Sequence, residues 1–173
     1  MLSETMQDAL NQQLNMETFA SYQYLAMAAY FESENLMGMA NWMHIQTAEE
    51  REHAMKFYHF INDRRGRVKL AAVAAPKTEW DSPLEAFQDA LKHEQKVTAS
   101  INRLVDLAIK ESDHATNSFL RWFVDEQVEE EANVDAVISD LQRVGDSSQG
   151  LFMIDRELAG RQPEAEEGGE EDE

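Results

Sequence analysis

Residues 49–53 read Glu-Glu-Arg-Glu-His, and the fold turns on where Glu50 and His53 point. Three residues apart, they share one face of a helix. Continued outward at steps of four and three, that face reads Met39, Met43, Gln46, Glu50, His53, Phe57, Phe60. This is the seam of a core-facing helix, with a carboxylate and an imidazole where apolar residues belong. Burying an unpaired carboxylate is very costly, so the pair needs a counter-charge, and a metal ion is one. Glu-x-x-His on an inward face is half of a dinuclear carboxylate site between facing helices. The tetrapeptide also arises by chance in acidic helices, so the rest of the chain has to supply the other half.

Three further seams have the same design. Ser3 is placed as N-cap of a first helix running to Glu34, with the seam Leu10, Leu14, Glu17, Ser21, Tyr24, Ala28, Phe31. After a break at 35–38 the second helix covers 39–65, and Gly66 suits the left-handed residue that closes it. Periodicity fails over 67–81, where Pro76 interrupts and Trp80 stands alone; a connection this long can cross the length of a bundle. Ser82-Pro83-Leu84-Glu85 combines a capping box with proline at the first helical position. It opens a third helix to Glu111 with the seam Phe87, Leu91, Glu94, Thr98, Ile101, Val105, Ala108. A turn at 112–116 leads to a fourth helix ending at Gly145, with the seam Leu120, Phe123, Gln127, Glu130, Val134, Val137, Leu141. Residues 151–158 form a short apolar helix for which a four-helix core has no room, and a subunit contact is its expected use. The predicted fold is all-α: a four-helix bundle with one long crossover between helices 2 and 3, plus a short C-terminal fifth helix. Residues 1–160 make the domain, and 161–173 are expected to be an acidic, disordered tail.

Composition narrows the function. The 173 residues carry a net charge of −19, of which 161–173 contribute −6 (seven acids against Arg161). Such a balance excludes nucleic acid and anionic membrane as partners and suits cations, or serves solubility alone. With no cysteine, disulfide scaffolds, thiolate-held zinc and iron–sulfur ligation are excluded. No stretch approaches the roughly 20 apolar residues of a membrane span, and the N-terminus lacks signal-peptide character, so a cytoplasmic location is expected.

The polar groups of the four seams repeat. Glu17 to Glu50 and Glu94 to Gln127 are both 33 residues; Glu17 to Glu94 and Glu50 to Gln127 are both 77. Two copies of one helical hairpin therefore place matching polar groups at matching heights. Glu17, Glu50, Glu94 and Glu130 carry four negative charges, the equal of two divalent cations. Oxygen-rich ligation with one imidazole suits iron or manganese, and two such ions could each give one electron to a shared oxidant. Tyr24, seven residues after Glu17, has a hydroxyl within reach of the site or is an ordinary core tyrosine with a hydrogen-bonded tip. Gln127 is a weak ligand or an orienting amide. Glu49, Glu126 and Glu129 each sit one residue from the set, as a third metal position or a solvated acidic face. His44, His59 and His93 have no partner pattern, and Met37, Met39 and Met43 read as core filler.

These residues give the chain a resemblance to the bacterial non-haem ferritins. The likeness is carried by Glu17, Tyr24, Glu49-Glu50-x-x-His53, His93-Glu94-Gln95, the run 119–131 (FLRWFVDEQVEEE) and Gly150-Leu151-Phe152-x-Ile154-Asp155-x-Glu157-Leu158. The resemblance implies a ferroxidase centre with Glu17, Glu50 and His53 on the first iron, Glu50 bridging, and Glu94 and Glu130 on the second beside Gln127. Glu49, Glu126, Glu129 and Glu130 match the family's extra iron position, and Tyr24 and Trp122 match aromatics near the centre. It further implies a hollow cage of roughly two dozen subunits that oxidises ferrous iron with dioxygen or hydrogen peroxide and stores it as ferric mineral. Haem-binding relatives carry Glu-x-x-His in the second hairpin too, and a Met two positions before the first ligand histidine. Gln127-x-x-Glu130 and Arg51 stand there instead, so no haem is expected. Two other classes stay in competition: a non-storing di-iron redox enzyme such as a peroxide scavenger, and a metal-free helical interaction bundle whose seam glutamates specify pairing.

Overall fold

In a computed structural model of the chain, which describes residues 1–163, five helices run in order: α1 (Glu4–Ser33), α2 (Met37–Asp63), α3 (Pro83–Lys110), α4 (His114–Val144) and α5 (Ser148–Leu158). No strand occurs among the described residues, and none of their helices is long and apolar enough to cross a membrane. The hairpins α1/α2 and α3/α4 pack with α1 against α3, and α5 lies across α2 and α4. The all-helical fold with its long connection between α2 and α3 is as the seams predict.

Side-chain caps mark the helix starts. Ser3, Ser82, Asp113 and Ser147 each accept the N–H three residues on, from Met6, Glu85, Thr116 and Gly150. The α4 start lies earlier than the sequence suggested, because Asp113 is its cap; Thr116 is therefore helical and buried rather than part of the turn. Asp113 also pairs with Arg64 at 3.0 Å.

Three helices end on a left-handed residue that is not glycine: Asn35 (φ 59°), Arg65 (φ 58°) and Ser112 (φ 55°). Each end is closed by the next N–H reaching back, from Leu36 to Phe31, Gly66 to Ile61 and Asp113 to Ala108. Gly66 thus lies one position beyond the expected one. A Cβ there would come within 3.0 Å of Ile61 and 3.1 Å of Leu2, so close packing rather than dihedral freedom calls for glycine.

The crossover lies along α1 and is pinned at both ends. Asn11 donates to the Arg67 carbonyl (3.0 Å) and accepts the Lys69 N–H (2.6 Å). Trp80 is buried, its ring edge-on to Tyr30 at 5.2 Å and its N–H on Asp89 at 3.1 Å. It anchors the loop instead of standing alone.

α5 is fastened to its own subunit. α2 has no side-chain cap of its own at Leu36; Asp155 of α5 accepts the Met39 N–H at 2.9 Å and does that work. A Cβ on Gly38 would fall 1.6 Å from the Asp155 carbonyl oxygen, so only glycine lets the two backbones approach. Ile154 is buried, while Phe152 and Met153 remain exposed and are the part of the helix free for a subunit contact. Arg161, placed in the tail from sequence, is docked on α2; residues 164–173 of that tail lie outside the described residues.

The core has two apolar halves. One gathers Met27, Phe31, Met43, Phe87 and Trp80, and the other gathers Leu10, Leu14, Phe57, Ile101 and Phe123. Between them every helix of the bundle turns polar. Gly38→Ala should pry α5 from the start of α2, lowering the melting temperature by several degrees, about 2 kcal/mol, with faster amide exchange across α5. Unchanged exchange would show that α5 is not held there.

Candidate metal centre

The layer between the two apolar halves is built from the middles of four helices. α1 contributes Gln13 and Glu17, α2 Gln46, Glu50 and His53, α3 Glu94, and α4 Gln127 and Glu130; all are buried. Glu17, Glu50 and His53 each offer a ligand atom, and the three atoms lie within 4.8 Å of one another. His53, Glu126 and Glu130 form a second such trio that shares the imidazole. The His53 Nδ1 is 3.5 Å from Glu50 and its Nε2 is 3.7 Å from Glu126. Its ring is held edge-on by Trp122 (5.2 Å) and Phe123 (6.1 Å).

Neutral donors orient the carboxylates. Gln13 donates to Glu17 and Gln46 to Glu130, each at 2.8 Å. Glu94 accepts the Tyr24 hydroxyl (2.5 Å) and the Gln127 amide (3.3 Å), which also reaches the Thr98 hydroxyl at 3.3 Å. The Oε2 atoms of Glu17 and Glu50 are buried and take no hydrogen bond from a glutamine, tyrosine or backbone donor; the two carboxyls face each other and can share a proton. No lysine or arginine is buried among the described residues. Among the described residues no buried cationic side chain therefore neutralises the layer.

The titration behaviour follows. Burial pushes the Glu17 carboxyl up to about 7, with the Gln13 and Glu50 side chains opposing it and the Glu94 charge adding to it. Burial and then the Glu94 charge hold Glu50 well above the usual carboxylate range, and the same two causes act on Glu130. Glu94 is raised by burial too, against the opposing hydrogen bonds from Tyr24 and Gln127. His53 is lowered to about 4 by burial and by Lys56, so its imidazole is neutral at pH 7 and ready to ligate. Tyr24 is held far above its ordinary value by burial and by three glutamates, and remains a donor. Empty of cations, the layer carries protons; a dication would displace them.

Glu17, Glu50, His53, Glu94, Gln127 and Glu130 thus converge, with Tyr24 beside them. Gln127 meets Glu94 as a donor through its amide nitrogen. The flanking acids divide. Glu126 is half-buried within reach of His53, and Glu49 is half-buried with Arg161 on its Oε2 at 2.9 Å. The charges of both bear on Glu130. Glu129 lies on the exposed flank of α4, outside both trios. His93, next to Glu94 in sequence, turns away toward Phe19 (5.6 Å).

Gln13 and Gln46 are donors to which sequence reasoning gave no role. Gln13 lies four residues before Glu17, one helical turn away, and that spacing was an available signal; Gln46 was on the seam, but its reach across the bundle to Glu130 has no local signal. An oxygen-rich set with one neutral imidazole fits iron or manganese, and the Glu17, Glu50 and His53 trio offers its ligand atoms close enough together for one cation.

The comparisons with known proteins agree with this geometry. A ferritin-like domain matches residues 7–144. Proteins described as "Bacterial non-heme ferritin" from Staphylococcus aureus (strain MRSA252) and Staphylococcus saprophyticus are 47% and 48% identical over 161 residues. Those alignments span 93% of this chain and 97% and 96% of the relatives. An open-pore ferritin from Archaeoglobus fulgidus has a solved structure with a TM-score of 0.92 and 48% identity, covering 93% of this chain and 98% of that one. An engineered closed form of the same ferritin gives a TM-score of 0.93. Likeness on this scale, reaching over all four helices that bear the acidic layer, makes the chain a member of the ferritin family, of the bacterial non-haem kind.

Proposed function

We propose that this protein takes up ferrous iron as its substrate, oxidises it at the buried centre and keeps the ferric product as mineral inside a hollow assembly of about two dozen like subunits. The observation that carries the reading is the buried trio Glu17, Glu50 and His53, its ligand atoms within 4.8 Å of one another, in a layer that has no buried lysine or arginine among the described residues. Glu17 and His53 would hold one iron, Glu94 and Glu130 the other, with Glu50 between them. Gln127 serves Glu94 as an orienting amide, and Tyr24 fixes the same carboxylate from α1. Glu49, Glu126 and Glu130 would frame an adjacent third position, with Glu129 reaching in from the flank.

The electron count closes with two ions. Each ferrous ion gives one electron; dioxygen with two protons becomes hydrogen peroxide, and peroxide with two protons becomes two waters. The layer favours the charge-rich product because it supplies carboxylates that only cations can fully satisfy. Exposed apolar groups fit an assembled state: Phe152 and Met153 on α5, and Tyr22, Leu25, Met55 and Val73 around the α1/α2 face.

Aerobic ferrous loading tests storage directly. Uptake far beyond three irons per subunit is expected, whereas saturation at two or three would indicate a non-storing di-iron redox enzyme. His53→Ala should slow the rapid oxidation phase at least ~10-fold while far-UV circular dichroism stays helical; unchanged kinetics would remove His53 from the centre.

Glu17 fixes the sign of a pH effect. Its carboxyl is raised from 4.5 to about 7 in the fold, so the protonated form is the one folding prefers. That stability is full below about pH 4.5 and is lost as pH rises through about 7. The metal-free protein should lose about 3 kcal/mol across this window, and bound metal should remove the loss. Denaturant titrations between pH 5 and 7, with and without zinc, check it; identical profiles would mean that no cation binds at Glu17.

A further inference from the structure

Arg161 brings a guanidinium to the margin of the acidic layer from the last described turn of the chain. Its Nη2 donates to Glu49 Oε2 at 2.9 Å, with the two side chains only 18% and 15% exposed. The guanidinium lies over the Trp42 ring, 4.6 Å from its centroid. Asn41 donates to the carbonyls of Leu158 and Arg161, each at 3.3 Å. One face of α2 (Asn41, Trp42, Glu49) therefore grips the end of α5, which Asp155 fastens to the start of the same helix. The grip is incomplete, because Arg161 Nη1 is buried with no hydrogen-bond acceptor.

We propose that Arg161 is a built-in counter-cation that occupies the Glu49 arm of the third metal position and competes with a divalent cation for it, so that filling this position releases Arg161 and the turn at Gly160 and Arg161 from α2. The inference rests on the reading of Glu49 as part of a third position. Glu49 and Glu126 both press their charge on Glu130, so the flank is repulsive while no cation is bound. Arg161 relieves that with a single positive charge. A dication brings two, but must first break an ion pair shielded from water, which is stronger than an exposed one. Engagement through one nitrogen rather than a two-pronged fork keeps the pair breakable. The outcome is a third step weaker than the first two, coupled by linkage to the docking of the C-terminal segment.

Calorimetric titration of the metal-free full chain with zinc, a redox-inert probe, tests this. Wild type should bind three zinc ions per subunit with the third weakest. Arg161→Gln should leave the first two unchanged and tighten the third about tenfold, and Arg161→Lys should fall between. Two steps in wild type and three in Arg161→Gln would support the same competition in a stronger form. Hydrogen exchange gives a second readout. The third equivalent should speed exchange at the Gly160 and Arg161 amides, which bond the Glu157 and Leu158 carbonyls, and Glu49→Gln should abolish both the step and the change. Three steps in wild type with a third that is unchanged or weaker in Arg161→Gln would overturn the proposal and leave the third position standing. Two steps in both proteins would instead remove the third position, and the proposal with it.

Discussion

A continuous slab of ionisable side chains cuts the hydrophobic core of this subunit in two, and the rest of the structure answers that constraint. Four glutamates in a dry interior are intrinsically destabilising, since each must either hold a proton or find a cation. The helices cannot rely on one unbroken apolar seam, so each half of the core has to hold by itself. Aromatic rings carry much of that load. Tyr24, Phe31, Trp42 and Phe87 meet edge-on or tilted on one side of the slab. On the other side Phe57, Phe60, Phe119 and Phe123 pack with centroids as near as 3.9 Å. Such rings bury large areas per residue and lock helices at defined distances.

The choice of donors within the slab separates a binding site from a structural ion network. A network built for stability would place arginine or lysine against the glutamates, leaving no net charge. Here glutamine and tyrosine do the positioning, and their dipoles hold a carboxylate in place without neutralising it. No fixed cation of the described residues compensates these carboxyls in the interior, so without metal they hold protons that a dication can displace. Arg161 is the exception that defines the boundary: among the described residues a cationic side chain is admitted at Glu49, on the flank, and at no point deeper.

Much of this was legible in the sequence, because helical periodicity is a covalent spacing. Every seam position of α4 from Leu120 to Leu141 is buried, as the steps of four and three require. In α3 the heptad positions Phe87, Glu94, Ile101 and Ala108 hold, while burial falls on Ala90, Val97 and Leu104 instead of Leu91, Thr98 and Val105. A stripe of that width can lean to either side, and only the neighbouring helix decides which. Contacts across large sequence separations were not legible. Asp155 capping α2 and Arg161 on Glu49 join residues more than a hundred apart, and no local pattern announces either. The helix ends at Asn35, Arg65 and Ser112 were hidden for a different reason: residues that bear a left-handed conformation at some cost occupy places usually marked by glycine.

The repeat between the hairpins is broken in a consistent direction. At the offset of 77 residues, Glu17 matches Glu94, Glu50 matches Gln127 and His53 matches Glu130. The same offset sets Gln13 against Ala90, Gln46 against Phe123 and Tyr24 against Ile101. Three donors in the first hairpin therefore face apolar counterparts in the second. Two of those donors reach across the bundle: Gln46 holds Glu130 and Tyr24 holds Glu94. The first hairpin thus supplies its own two carboxylates and the imidazole, and fixes the carboxylates of its partner as well. A symmetric pair of hairpins would offer two equal half-sites. This one has a single nitrogen ligand, from the first hairpin, set between Glu17 and Glu50 on one side and Glu126 and Glu130 on the other, so the two hairpins contribute unequally to the layer.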